Sequence, residues 1–122
     1  MKVSATVRAG IVLPVVSNPG RPDPLLWAKL TTDMIVTPAP DATMDERLRV
    51  GALRRRVAAL LFEEFCGLKK TTIAVQAALH IEERLFEIVK PTQWAENFAV
   101  ARIAISDVLI RNVMSFIEIL GN

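Results

Sequence analysis

The sequence predicts a mainly α-helical fold: a three-helix bundle preceded by an extended, partly β N-terminal arm. Six of the seven prolines lie within residues 1–40, whereas residues 43–122 are rich in helix formers and contain only Pro91. Apolar residues make up 52% of the 122 positions, which is enough for one packed core in a domain of ordinary size. We therefore divide the chain into an arm (1–42), which includes a short helix, and a bundle (43–122).

The arm combines a strand pattern with a helix start. Residues 2–8 alternate apolar and polar side chains, which is the period of a β-strand. Asp23 followed by Pro24 is typical of an N-cap and a first helical residue, and it predicts a short helix at 24–30. Residues 34–40 predict an extended segment. Because the arm has too few regularly spaced apolar residues for a core of its own, we expect part of it to pack on a neighbouring chain.

Three long helices are predicted after the arm. The first, at 44–66, begins with a capping box at Thr43, in which side chains satisfy the free N–H groups of the first turn. The second spans 73–89 and the third 93–120, and the turn between them centres on Pro91. Short links place consecutive helices side by side in antiparallel orientation, which favours a bundle.

Net charge and hydropathy narrow the classes of partner and compartment. The net charge of +2 gives no ground for a nucleic-acid partner. No stretch is apolar for long enough to predict a transmembrane segment, although contact with a membrane complex stays open. A single cysteine excludes an internal disulfide and favours an intracellular, reducing compartment. Residues 1–22 carry three bases and no acid, so mitochondrion and nucleus both stay open.

The sequence offers little material for catalysis. His80 is the only histidine and falls on the polar side of its helix, where a solvated side chain is expected. Cys66 is the only cysteine, and we expect a buried thiol that behaves as a small apolar group. No glycine-rich phosphate loop or serine-centred elbow is present. We therefore predict that the chain is not an enzyme and has no cofactor and no metal site.

The run of arginines at 54–56 leaves two interpretations open. Three consecutive helical residues fan over about 200° of the circumference, so they cannot form a single patch. One interpretation is a solvated face with salt bridges. The other is contact with an acidic partner or with a phosphate backbone.

The apolar arc of the third helix gives the candidate binding residues. This arc covers more than half of the circumference, so it must be covered on more than one side. The other helices of the bundle are one possible cover, and an external partner or a second copy is the other. On the second alternative, the partner-binding residues are Trp94, Phe98 and Phe116, with Trp27 of the arm.

Two charges interrupt the apolar faces of the second and third helices. Glu82 and Arg102 lie at nearly equal distances from the turn at Pro91, so their heights in an antiparallel hairpin differ by about 3 Å. A buried charge is costly unless it is paired. We therefore predict a direct ion pair between them inside the bundle, with a structural role.

Residues 78–86, Ala-Leu-His-Ile-Glu-Glu-Arg-Leu-Phe, resemble the second helix of two transcription modules. One is the KIX domain of coactivators and Mediator tail subunits, and the other is the central domain of elongation factor S-II. The resemblance extends over residues 44–120 and implies a three-helix bundle in which Trp94 and Phe98 take the aromatic role of the third helix. The chain lacks the tyrosines typical of KIX grooves, and residues 102–107 have one base where S-II has a basic run. No zinc ribbon is possible, so stimulation of transcript cleavage is not implied.

These observations predict a non-catalytic protein–protein interaction module that binds a protein partner or a second copy of itself. The resemblance implies a transcription-associated adaptor similar to KIX. The alternative is a structural or assembly subunit of a large complex, such as a respiratory or ATP synthase complex, a ribosome or a virion. The proline-rich arm and the excess of apolar surface support that alternative.

Overall fold

A computed structural model describes residues 22–121 and shows four α-helices and no strand within that range. The prediction of a helical bundle is confirmed, and the three long helices begin and end within two residues of their predicted bounds. The predicted strand at 2–8 lies outside the described residues. The helices are α1 (Pro24–Ile35), α2 (Met44–Cys66), α3 (Ala74–Val89) and α4 (Ala95–Gly121).

Side-chain caps fix the starts of the first two helices. The Asp23 carboxylate accepts a hydrogen bond from the Leu25 N–H at 3.0 Å. At α2 the Glu46 N–H donates to the Thr43 hydroxyl at 3.2 Å, and the Thr43 N–H donates to the Glu46 carboxylate at 3.1 Å. Both caps satisfy N–H groups that have no partner within the helix, which explains why these two starts are readable from the sequence.

α1 differs from its prediction in length and in role. It continues to Ile35 instead of ending near residue 30, and it packs against α2 and α4 as a fourth member of the bundle. Two threonines interrupt its apolar pattern, but their hydroxyls donate to the helix's own carbonyl groups, Thr31 to Trp27 and Thr32 to Ala28, both at 2.7 Å. Because these hydroxyls are satisfied locally, both threonines are buried with the apolar residues.

The four helices form a closed ring in which each packs on its two neighbours in sequence and α4 returns to α1. Each pair of neighbours is antiparallel. For example, Trp27 near the start of α1 contacts Phe65 near the end of α2 at 6.4 Å between ring centroids, and Phe116 near the end of α4 at 6.0 Å. α2 and α4 therefore lie on opposite corners of the ring, and their outer surfaces face away from each other.

The core contains a cluster of three aromatic rings at one end of the bundle. Phe65 and Phe116 lie 5.0 Å apart between centroids, and Trp27 packs edge-on against Phe116. Toward the other end, Phe86 of α3 contacts Phe98 of α4 at 6.0 Å. These clusters join α1, α2 and α4 at one end, and α3 and α4 at the other.

Candidate protein-binding surfaces

The four aromatic residues predicted to bind a partner lie in the core, so they do not form a binding surface. Trp27, Trp94, Phe98 and Phe116 are all buried. Phe98 packs against Phe86 of α3, and Phe116 packs against Trp27 of α1. The wide apolar arc of α4 is covered because α1 supplies a fourth wall that the three-helix prediction lacked. The aromatic role that the KIX and S-II resemblance implied for Trp94 and Phe98 is therefore a core role in this chain.

The exposed apolar residues of α2 form a line along its outer surface. Met44 and Leu48 are 72% and 66% exposed, and Phe62 is also exposed. Successive members are three or four residues apart, which places them on one face of the helix, over about 27 Å from end to end. We call this line the α2 stripe: Met44, Leu48, Ala52, Arg55, Ala59 and Phe62.

Arginines dominate the surroundings of the α2 stripe. Residues 47–62 contain five arginines and no acidic residue. Arg54 bonds to Asp33 of α1, and Arg49 lies 2.7 Å from Asp45. Arg55 and Arg56 have no carboxylate partner among residues 22–121. The run at 54–56 is thus partly a salt-bridged face and partly a source of positive charge available to a partner.

A cleft lies beside the stripe, between α2 and the turn that joins α3 to α4. Its volume is about 330 Å³, which is at the lower end of the range for ligand pockets. The Trp94 Nε1 is buried and has no acceptor within the described part of the chain. The surface of the cleft is mostly apolar, and its lining residues are Arg49, Ala52, Leu53, Arg56, Thr92, Gln93 and Trp94.

A second exposed apolar surface lies on α4. Val100 and Ile103 are 85% and 88% exposed, the highest values among the large apolar residues described. Glu96 and Asp107 share their helix face, one turn before and one turn after them. We call this line the α4 stripe: Glu96, Val100, Ile103, Asp107, Arg111 and Met114, in which Asp107 and Arg111 pair with each other.

Acidic residues of α3 border the α4 stripe. The contact between Glu82 and Arg102 places this turn of α3 beside the turn of α4 that carries Ile103. Glu83 follows directly in sequence and is exposed, and Glu87 is exposed one turn further on. The α4 stripe is therefore an apolar surface with an acidic border, whereas the α2 stripe is one with a basic border.

The structure brings Glu82 and Arg102 together. The Arg102 Nε donates to Glu82 Oε1, and the hydroxyl of Ser106 donates to Oε2 of the same carboxylate. Glu82 is only 4% exposed, whereas the Arg102 side chain is 54% exposed. The pair thus lies at the rim of the bundle and not inside it, because the arginine keeps part of its guanidinium in water. Sequence reasoning missed Ser106, which lies one turn after Arg102 on the same face.

Sequence reasoning also missed a buried polar contact between α1 and α4. Asn112 is buried, and its Nδ2 donates to the Thr31 hydroxyl at 2.9 Å and lies 3.5 Å from the Met34 sulfur. Asn112 lies seven residues after Ile105 and four before Phe116, so its spacing places it on the apolar face. That spacing is the signal that could have found it.

His80, the only histidine, belongs to a network of charged side chains on the surface of α2 and α3. The Arg84 guanidinium donates to Glu64 at 2.6 Å and to Glu63 at 3.1 Å, and His80 Nε2 lies 3.2 Å from Glu64. The hydrogen bonds to Glu64 and Glu63 raise the pKa of Arg84 above its ordinary value, so the guanidinium stays charged. Cys66 is exposed, which corrects the expectation of a buried thiol.

Within residues 22–121, no group of three or more His, Cys, Asp or Glu side chains is placed to hold a metal ion. No helix in that range is both long and apolar enough to cross a membrane. Comparison with protein-family models, curated proteins and solved structures finds no match for this chain. The two stripes and the cleft are thus the candidate binding surfaces of the described chain.

Proposed function

We propose that this chain is a non-catalytic protein–protein interaction module and that the α2 stripe is its binding surface. The observation that carries the proposal is the line of exposed apolar side chains along the helix, which only Arg55 interrupts and which other arginines flank. A helix face with only a solubilising role is polar, and a contiguous exposed apolar surface with a polar rim is typical of interaction sites.

The chemistry of the stripe supports binding of another polypeptide. Fully burying a Met, Leu or Phe side chain contributes about 1.5–3 kcal/mol, and Met44, Leu48 and Phe62 are exposed in the isolated chain. Ala52 and Ala59 between them let a partner backbone approach closely. Arg55 and Arg56 favour a partner with acidic residues, because complementary charges steer association and fix its register.

The finer proposal is a transcription-associated adaptor. It rests on the similarity of residues 78–86 to KIX and S-II. These residues form the middle of α3, the segment that holds Glu82. In this proposal the partner binds the α2 stripe instead of the buried aromatics of α4. The fourth helix, α1, is an addition to the three-helix pattern of those modules.

A second candidate is a structural or assembly subunit of a large complex. The α4 stripe favours it, because Val100 and Ile103 are exposed on the side of the bundle opposite the α2 stripe. An adaptor needs one binding surface, whereas a subunit inside an assembly is covered on two sides. The two candidates therefore differ in whether the α4 stripe is needed for binding.

Paired variants test both candidates. The α2 variant carries Met44→Gln and Leu48→Gln, and the matched α4 variant carries Val100→Gln and Ile103→Gln. All four positions are exposed, so both variants should keep the wild-type circular dichroism melt. The tagged chains are used to retrieve partners from a lysate of the source cells, with quantification by mass spectrometry. Copies of the chain itself are left out of the comparison: loss of the other partners in the α2 variant alone supports an adaptor, loss in both supports an assembly subunit, and retention in the α2 variant refutes the proposal.

A further inference from the structure

We propose that the α2 stripe binds the α4 stripe of a second copy of this chain, so that copies associate head to tail. The inference rests on the proposed function, because it uses the same α2 surface and names its partner. Two properties of the stripes carry it: their matching length with exposed apolar centres, and the opposite sign of their borders.

The stripes match in length, and both carry exposed apolar side chains. The α2 stripe extends from Met44 to Phe62 and the α4 stripe from Glu96 to Met114, which is about 27 Å for each at 1.5 Å per residue. Leu48 of α2 is 66% exposed, and Ile103 of α4 is 88% exposed. Two helices laid along each other over this length bury both apolar centres at once.

The borders of the two stripes carry opposite charge. Arg55 lies within the α2 stripe and Arg56 at its border, and neither has a carboxylate partner within the described chain. Glu96 of the α4 stripe and Glu83 and Glu87 on the outer surface of α3 are exposed and form no ion pair with residues 22–121. Facing the two borders places three unmatched carboxylates near two unmatched guanidinium groups.

Contacts between like stripes are disfavoured by the same charges. Two α2 stripes packed antiparallel about a twofold axis place the arginines at 54–56 of one copy against those of the other, because this run lies near the middle of the stripe. Two α4 stripes bring acidic borders together. Like-charge contacts across an interface cost several kcal/mol, so the unlike pairing is preferred.

The position of the helices determines the form of the assembly. α2 and α4 occupy opposite corners of the ring, so one copy presents its two stripes on opposite sides. A contact between unlike surfaces leaves a free α2 stripe at one end and a free α4 stripe at the other. Such heterologous contacts continue into open chains or close into rings, instead of ending at a dimer.

Sedimentation velocity on the α2 variant, the α4 variant and the wild-type chain tests the inference. We expect the wild-type mass to rise beyond that of a dimer as the protein concentration rises toward millimolar. Each variant alone should stay monomeric, because removing two apolar contacts weakens the interface by on the order of 100-fold or more. An equimolar mixture should form a dimer and nothing larger, about twice the monomer mass, because each variant keeps one intact stripe.

Several results would overturn the inference. They are a wild-type chain that stays monomeric throughout the series, a variant that associates as the wild type does, or a mixture that stays monomeric. A monomeric wild type whose lysate partners depend on the α2 stripe would reject self-association and keep the proposed function. Lysate partners that persist in the α2 variant would reject the proposed function instead.

A charge variant provides a second readout. Arg55→Glu with Arg56→Glu should reduce self-association several-fold, and Glu83→Lys with Glu87→Lys should restore part of it when the two variants are mixed. Both pairs lie on exposed helix surface, so folding should be unaffected. Restoration by mixing is specific to a contact between unlike stripes, and its absence contradicts the proposed charge pairing.

Discussion

α4 is joined to α1 and to α3 by polar contacts of two different kinds. At the α1–α4 seam, neutral Asn112 and Thr31 are both buried and bond to each other in the core. At the α3–α4 seam, buried Glu82 bonds to Arg102, whose guanidinium lies partly in water. A neutral pair loses little on leaving water once it is hydrogen-bonded, whereas a charged pair loses much more. The charged contact therefore lies at the rim and the neutral one at the centre.

The largest expected effect comes from removing the aromatic anchor of the α1–α4 seam. Trp27→Ala should lower the free energy of unfolding by about 3–5 kcal/mol, because Trp27 fills space between Phe65 and Phe116 that cannot collapse. Urea denaturation measures the change. Leu25→Ala on the exposed side of the same helix is the control and should cost under about 0.5 kcal/mol. Equal losses for the two variants would show that α1 is not part of the core.

The charged seam should be sensitive to loss of one partner. Arg102→Met should cost about 2 kcal/mol, because it leaves the buried carboxylate of Glu82 with only the Ser106 hydroxyl. Adding Glu82→Gln should recover about half of that loss, and the coupling is read from a double-mutant cycle of chemical denaturation. Arg111→Met, which breaks a surface pair with Asp107, is the control and should cost under about 0.5 kcal/mol. Additive losses at Glu82 and Arg102 would contradict a coupled pair.

The neutral seam should be less sensitive. Asn112→Ala should cost about 1 kcal/mol, since it removes one buried hydrogen bond and leaves the Thr31 hydroxyl with its own helix carbonyl as partner. Replacing both groups with apolar ones, in Thr31→Val with Asn112→Leu, should return stability close to that of the wild type. Thermal melts compare the variants. A loss of stability for Asn112→Ala larger than that for Arg102→Met would contradict the expectation that the charged contact is the more sensitive of the two.

The smallest effect on stability is expected away from both seams. Val100→Gln with Ile103→Gln should change the free energy of unfolding by less than about 0.5 kcal/mol, because both side chains are solvated in the isolated chain. Circular dichroism melts measure it. A loss comparable to that at the charged seam would mean that these residues pack within the bundle and do not form an outer surface.

The sequence predicted the elements with strong local signals. The bounds of α2 follow from the Thr43 capping box and the glycine at position 67, and the bundle follows from the spacing of apolar residues. Contact between Glu82 and Arg102 was predictable because a charge on an apolar face requires a partner, and the short link fixes their relative heights. The location of this pair at the rim was not predictable, because the burial of a helix face depends on which neighbouring helices cover it.

The candidate surfaces were harder to predict, since they depend on how many helices share the core. α1 was predicted to be short because Thr31 and Thr32 interrupt its apolar pattern, yet both hydroxyls bond to the helix backbone and enter the core. Without α1, the part of the apolar arc of α4 that carries Phe116 has no cover, and Trp94, Phe98 and Phe116 are interpreted as a binding surface. Adding one helix to the bundle moves the candidate surface from those aromatics to the α2 stripe.

The bond between Thr31 and Asn112 joins residues that lie 81 positions apart in the chain. At a synthesis rate of 5–20 residues per second, roughly 4–16 s separate the emergence of Thr31 from that of Asn112 on the ribosome. Once α2 has emerged, Trp27 has α2 as a partner but still lacks Phe116, so part of its apolar side chain has no cover from α4. The nascent chain therefore passes through a stage in which the apolar face of α1 is only partly covered, and the arrival of α4 ends that stage.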